Sequence, residues 1–267
     1  MTFNTPKCQE IFRNRFTGAS KIPFKDYRDG REIANLTLNN DDISAYRVYI
    51  KEDLKSLYYK SLLSYAEGLI AVKQNNLSWA TVKLYYSVYY GLRCSLLCKN
   101  VVVARANRNL YFFKLDHGYQ YQKPKDQTDH GGTIETYVSL FSKTDYFCSN
   151  NIEDKNAYSW MKDCREIVNY KDAEFHDPDS TDMWNEVMAQ IQSVGMKKAV
   201  KKYVEERDTY CFSPLTAVFA IPTNRIRSLA KELRNEGVHP LSDERKEWIK
   251  SIINDNIDDE FYEEILF

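Results

Sequence analysis

Long apolar runs are missing from this 267-residue chain. No stretch approaches the 18 or so uninterrupted apolar residues that a bilayer-spanning helix needs, and the polar opening MTFNTPKCQEIFRNRF has nothing like the apolar core of a secretion signal. A cytoplasmic protein with no membrane partner is the expectation. An excess of one charge is also lacking: 37 Lys and Arg against 38 Asp and Glu leave a formal net charge of -1. No long-range field draws the chain to nucleic acid, so any RNA contact must be local. The six cysteines, at 8, 94, 98, 148, 164 and 211, include no CxxC pair, and Cys94 and Cys98 fall on one helical face. That spacing offers neither a zinc site nor a disulfide framework and suits reduced, buried thiols. No metal and no cofactor are expected. Fixed-period repeats and linkers rich in Gly and Ser are absent too.

What is present is helical periodicity over a 43% apolar composition, enough for a core of ordinary size. Residues 1–45 carry no sustained period, include a Gly-Ala-Ser and an Asn-Asn-Asp-Asp run, and read as an irregular extension with short elements. From Glu52, the residues Leu54, Leu57, Tyr58, Leu62, Tyr65, Leu69 and Val72 recur every three or four positions, an amphipathic helix. Ser78 is placed to cap the next helix, aromatic almost all round through Tyr85, Tyr86, Tyr89 and Tyr90. The runs at 101–103 and 111–113 predict a small β-hairpin within 101–122, and helical character returns after Gly131-Gly132 and over about 156–170. Beyond the Asp177-Pro178 break, a helix through Met183, Trp184 and Val187 ends near Gly195. Ser213-Pro214, Thr223 and Ser242 are read as starts of further helices. The expected organisation is an all-α chain in three segments: the extension at 1–45, a helical bundle at 46–178, and extra C-terminal helices at 179–267.

The order Ala80, Tyr85-Tyr86, Leu92-Arg93, then His130-Gly131, then Arg165 and Asn169-Tyr170 resembles the HEPN superfamily, over roughly residues 50 to 178. The resemblance implies an up-and-down helical bundle that is commonly dimeric and belongs to bacterial anti-phage or toxin-antitoxin systems. Many members are metal-independent RNases whose signature is an arginine followed after four to six residues by a histidine. In such a pair the imidazole moves the 2′-hydroxyl proton and the guanidinium stabilises charge on the phosphate. Here the positions five to seven after Arg165 are Tyr170, Lys171 and Asp172, so the base is missing from the expected register. This form is similar to the branch without the RNase signature. It implies an accessory or binding subunit, a homodimer or a hetero-oligomer with other defence-system subunits such as an ATPase or nuclease, acting on RNA or a nucleotide.

Two alternatives stand beside that reading. One is an endoribonuclease using Arg234, Asn235 and His239, the formal match elsewhere in the chain. About 0.6 such matches arise by chance in a chain of this composition, and Gly237 and Pro240 make a plain interhelical turn the simpler interpretation. The other is a purely structural helical adaptor. The binding candidates are Arg165, Asn169, Tyr170 and His130. Arg165 and Asn169, four apart, should share a helical face. A guanidinium beside an apolar face usually has a carboxylate partner, so an ion pair and a phosphate site are both open for Arg165. His130 with the amides of Gly131 and Gly132 could hold an anion, or be a surface turn. The tyrosines are read chiefly as core with hydroxyls at its rim. The cluster Lys197, Lys198, Lys201 and Lys202 is read as a solvated helical face, and the acidic tail 255–264 as an amphipathic docking end.

Overall fold

A computed structural model describes residues 5–17, 33–106, 108–253 and 256–267. Helix takes 67% of the chain and the only sheets among the described residues are two small two-stranded ones, so the fold is all-α with a small β-hairpin, as the periodicity predicts. The Gly-Ala-Ser of the extension, Asn107 of the 101–122 segment and Asp255 of the acidic tail lie outside the described residues. Contacts cluster into two compact units: Met1–Leu57 with Leu92–Leu140, and Tyr58–Gly91 with Phe141–Phe267. Their boundaries do not coincide with 45 and 178, because the two longest helices, α2 (Asn40–Lys73) and α3 (Leu77–Cys98), each contribute to both.

In the first unit, helix α1 (Lys7–Thr17) is held by Asp53 of α2, whose two carboxylate oxygens accept the backbone N–H of Lys7 and of Cys8, each at 2.8 Å. The first-turn amides of a helix have no internal acceptor, and a buried carboxylate supplies one. The hairpin pairs β1 (Val101–Ala106) with β2 (Asn109–Lys114) antiparallel, Val101 opposite Lys114 and Ala106 opposite Asn109. Its strands are apolar on both faces because both are covered: Phe12 packs on Tyr111, Phe113 and Tyr121. Helix α4 (Asp129–Phe141) follows a polar loop.

The second unit is built around α10 (Ala217–Asn235), buried along most of its length. Thr223 does not start a helix. It lies inside α10, its hydroxyl donating to the Phe219 carbonyl at 2.8 Å, and Pro222 is accommodated one residue earlier. Ser213-Pro214 likewise forms a turn ahead of α10, with the Ser213 carbonyl accepting from Thr216 and Ala217. The burial of a long apolar face outweighs the local loss of one proline hydrogen bond. Before α10 come the short α5 (Tyr146–Ser149), strands β3 (Asn151–Ile152) and β4 (Lys155–Asn156), α6 (Ala157–Glu166), α7 (Asp182–Val194), α8 (Met196–Glu205) and the short α9 (Arg207–Tyr210). After it come α11 (Asp243–Ile253) and α12 (Asp259–Ile265). Ser242 does cap α11, accepting from the Arg245 amide. The tail docks on its own unit: Tyr58 donates to the Ile265 carbonyl at 2.6 Å, and Arg227 forms a two-pronged pair with Glu264.

Candidate anion-binding site

Helix α6 opens with a good cap. The Asn156 side chain accepts from the amides of Tyr158 and Ser159, and the face Tyr158, Trp160, Met161 and Cys164 is buried. Arg165 sits in its last turn. At Ile167 the helix widens into a π-turn, Ile167–Lys171, closed by the Asp172 amide donating to the Ile167 carbonyl at 3.0 Å. A π-turn bonds residue i to i+5 and is found often at functional sites. The extra residue changes which side chain meets the arginine. The α-helical count puts Asn169 on the face of Arg165; in the structure the neighbour is Tyr170, whose hydroxyl accepts from Arg165 Nη2 at 3.2 Å.

The Arg165 guanidinium carbon also lies 5.1 Å from the Tyr170 ring centre, 5.8 Å from that of Tyr85 and 6.0 Å from that of Tyr86. These rings offer π faces to the charge. Only 9% of Arg165 is exposed, its Nε has no hydrogen-bond partner, and no carboxylate pairs with it among the described residues. Of the two readings open for Arg165, the ion pair is not formed among the described residues; neighbouring Glu166 is taken by Lys162 at 3.3 Å. Tyr170, in contrast, is 71% exposed and covers the guanidinium from the solvent side. Burial pushes the Tyr85 phenol well above the ordinary tyrosine range, and Arg165 opposes that shift only in part, so Tyr85 stays a neutral hydroxyl. Of the tyrosine helix, Tyr85 and Tyr89 are buried and Tyr86 and Tyr90 half-buried, a core arrangement with two rings reaching its rim. Asn169 is half-buried and makes no side-chain hydrogen bond among the described residues.

His130 belongs to the first unit, in the first turn of α4, and the neighbouring amides of Gly131 and Gly132 are already engaged. Thr128 Oγ1 accepts from Gly131 at 3.1 Å, the Thr128 carbonyl from Gly132 at 3.0 Å, and Asp126 binds Thr128 in turn. Asp126 sits where an anion would have to approach: a Cβ on Gly131 would fall 1.6 Å from its Oδ2. The two glycines make room for this loop.

Arg234, Asn235 and His239 fall at the exposed end of α10. The helix stops at Asn235, Gly237 turns with φ of 63°, and His239 follows in the loop. Arg234 donates to the Glu263 carbonyl at 2.7 Å and lies 4.4 Å from the Phe267 ring centre; the imidazole of His239 lies 6.4 Å from the same ring. No hydrogen bond joins Arg234 and His239. Their common neighbour is the docked tail, which gives the pair a structural use.

The second unit also holds a cleft of about 270 Å³ between the start of α3, the π-turn and α7, floored by Leu77, Ile167, Val168, Met183 and Trp184. Asp177 on its wall accepts the Ser78 amide at 3.0 Å, so this carboxylate, and not Ser78 itself, serves the first turn of α3. A larger pocket of about 420 Å³ beside α8 and α10 is lined by charges of both signs: Arg207 pairs with Asp208 in its wall, and Arg227 is held by Glu264 from outside it. All six cysteines are buried.

No family model, curated protein or solved structure matches this chain. The site thus stands on its own geometry. Sequence reasoning found Arg165 and Tyr170 but missed what joins them, since nothing in Ile167-Val168-Asn169-Tyr170-Lys171 announces a π-turn.

Proposed function

We propose that this chain is a HEPN-like binding subunit of a bacterial anti-phage defence or toxin-antitoxin assembly, and that it holds the phosphate of a nucleotide or RNA at Arg165. One observation carries the reading: a nine-tenths buried guanidinium with an unpaired Nε and no carboxylate partner among the described residues. A buried charge without a counter-ion is costly, and an arriving anion offsets that cost with charge-assisted, two-pronged hydrogen bonds. The exposed Tyr170 is the group such a ligand would displace, and its ring, with Tyr86, offers a face to a base. Its oligomeric partners, an ATPase or nuclease or a second copy, follow from the resemblance and are part of the proposal.

Calorimetric titration of the purified protein with AMP, ATP and a 5′-phosphorylated oligoribonucleotide, beside unphosphorylated controls, tests the site. Binding should require the phosphate and vanish in Arg165→Gln; binding that survives the substitution, or none with any phosphorylated probe, overturns it. Incubation with total RNA and tRNA in EDTA should leave the RNA intact. Degradation that disappears in Arg234→Ala and in His239→Ala would replace this reading with the ribonuclease one. Co-purification from the native host tests membership of an assembly.

A further inference from the structure

The cleft beside the π-turn combines an apolar floor with an acidic rim. Its floor is apolar, yet four carboxylates, Asp172, Asp177, Asp179 and Asp182, stand on its rim, and none has a lysine or arginine partner among the described residues. Asp172 is 3.9 Å from the exposed His176, Asp177 is turned to the Ser78 amide, and Asp182 accepts from Asn185 at 3.3 Å. Next in sequence to the lining residues Ser78 and His176, the rings of Trp79 and Phe175 lie 6.1 Å apart and are 46% and 52% exposed. Large aromatic surface left in water beside an apolar cleft is characteristic of an interaction site.

We infer that this cleft docks a segment of a heterologous protein partner, one that presents an arginine or lysine next to an apolar side chain. The apolar side chain fills the floor, the cation meets the rim carboxylates, which have no lysine or arginine partner among the described residues, and its flat face stacks on Trp79, the preferred aromatic for a cation. The volume lies below the 300–1,000 Å³ or so of pockets that enclose small molecules and suits one or two side chains. The Trp79 and Phe175 pair extends the apolar surface beyond it, as at interface hot spots. A second copy of this chain offers a poor match. Its basic stretch on α8 has the adjacent apolar side chains Ala199, Val200 and Tyr203 buried inward, and Lys201 already lies 3.8 Å from Glu205.

The test uses the full chain and two acetylated, amidated pentapeptides, Leu-Arg-Ala-Arg-Leu and Leu-Glu-Ala-Glu-Leu, with spermidine as a small cation, all by calorimetry. The arginine peptide should bind and the glutamate peptide should not. Asp172→Asn combined with Asp179→Asn, both exposed, should weaken binding about tenfold, as expected for two exposed charge pairs near an apolar contact. Trp79→Ala should weaken it by a similar factor, while Arg165→Gln leaves it unchanged, which separates this docking site from the phosphate site. Equal binding of both peptides, spermidine binding as tightly as the arginine peptide, or indifference to the Asp and Trp79 substitutions would each overturn the inference. So would concentration-dependent self-association abolished by the Asp substitutions, since that would make the occupant a second copy.

Discussion

Replacing Arg165 by methionine should leave the protein as stable as before or more so, while abolishing the proposed phosphate binding. The side chain is 9% exposed, so its environment decides the outcome. Methionine loses the 3.2 Å hydrogen bond to Tyr170, about 1 kcal/mol. It also loses three ring contacts at centroid distances of 5.1 to 6.0 Å, near the outer limit, together about 1 to 2 kcal/mol. Against this, it removes the desolvation penalty of a buried guanidinium that has an unsatisfied Nε and no carboxylate partner among the described residues, about 3 to 4 kcal/mol after relaxation. The balance lies between zero and about 2 kcal/mol in favour of methionine, or a rise of up to roughly 4 to 8 °C in Tm. Differential scanning calorimetry at matched pH and salt reads this directly, and the phosphate titration reads the other half. Arginine retained against stability is the signature of a functional group. A loss of about 3 kcal/mol or more would refute the reasoning, because that is the effect of breaking a compensated buried pair.

Gly131→Ala should cost about 2 to 3 kcal/mol, because its Cβ would lie 1.6 Å from the Asp126 carboxylate; urea unfolding should show it, with partial recovery when Asp126→Ala is added. Glu264 is held below the ordinary carboxylate range chiefly by its hydrogen bonds from Arg227. A depressed folded-state value means the stabilisation is fully present above the unfolded carboxylate range and is lost as pH falls below that range and through the depressed folded-state value. The Tm gap between wild type and Glu264→Gln should be open at pH 7 and close below about pH 4; a gap independent of pH would contradict the pairing. The cysteines should resist thiol reagents at pH 8 until the protein unfolds, since burial pushes the Cys148 and Cys211 thiols up to about 12. One thiol reacting within seconds in the native protein would show that an opening exposes it.

Legibility followed the range of the interactions involved. The helix from Leu54 to Val72, the tyrosine helix and the 101–114 hairpin could be read because period and apolar runs are local properties of the chain. Helix starts were less readable. Ser78, Thr223 and Ser213-Pro214 each have the right chemistry for a cap, but Asp177 supplies the acceptor at the first, and burial of α10 absorbs or postpones the other two. The first turn of α1 depends on Asp53, 46 residues away. At the site, the residue types of Arg165 and Tyr170 were legible and their pairing was not. The missing carboxylate around Arg165 is a fact of three-dimensional neighbourhood, invisible to any count along the chain.

The π-turn at Ile167–Lys171 has one further effect, on how this chain can change by insertion or deletion. Its outer side presents Tyr170 to Arg165, and its other side gives Ile167, Val168 and Asp172 to the acidic cleft. Removing one residue from the turn and restoring α-helical spacing would keep a tyrosine over the guanidinium, now four places on, but draw in the loop that carries Phe175, His176 and Asp177. A single codon in this stretch therefore sets the geometry of two separate surfaces, and a substitution elsewhere in the helix cannot reproduce its effect.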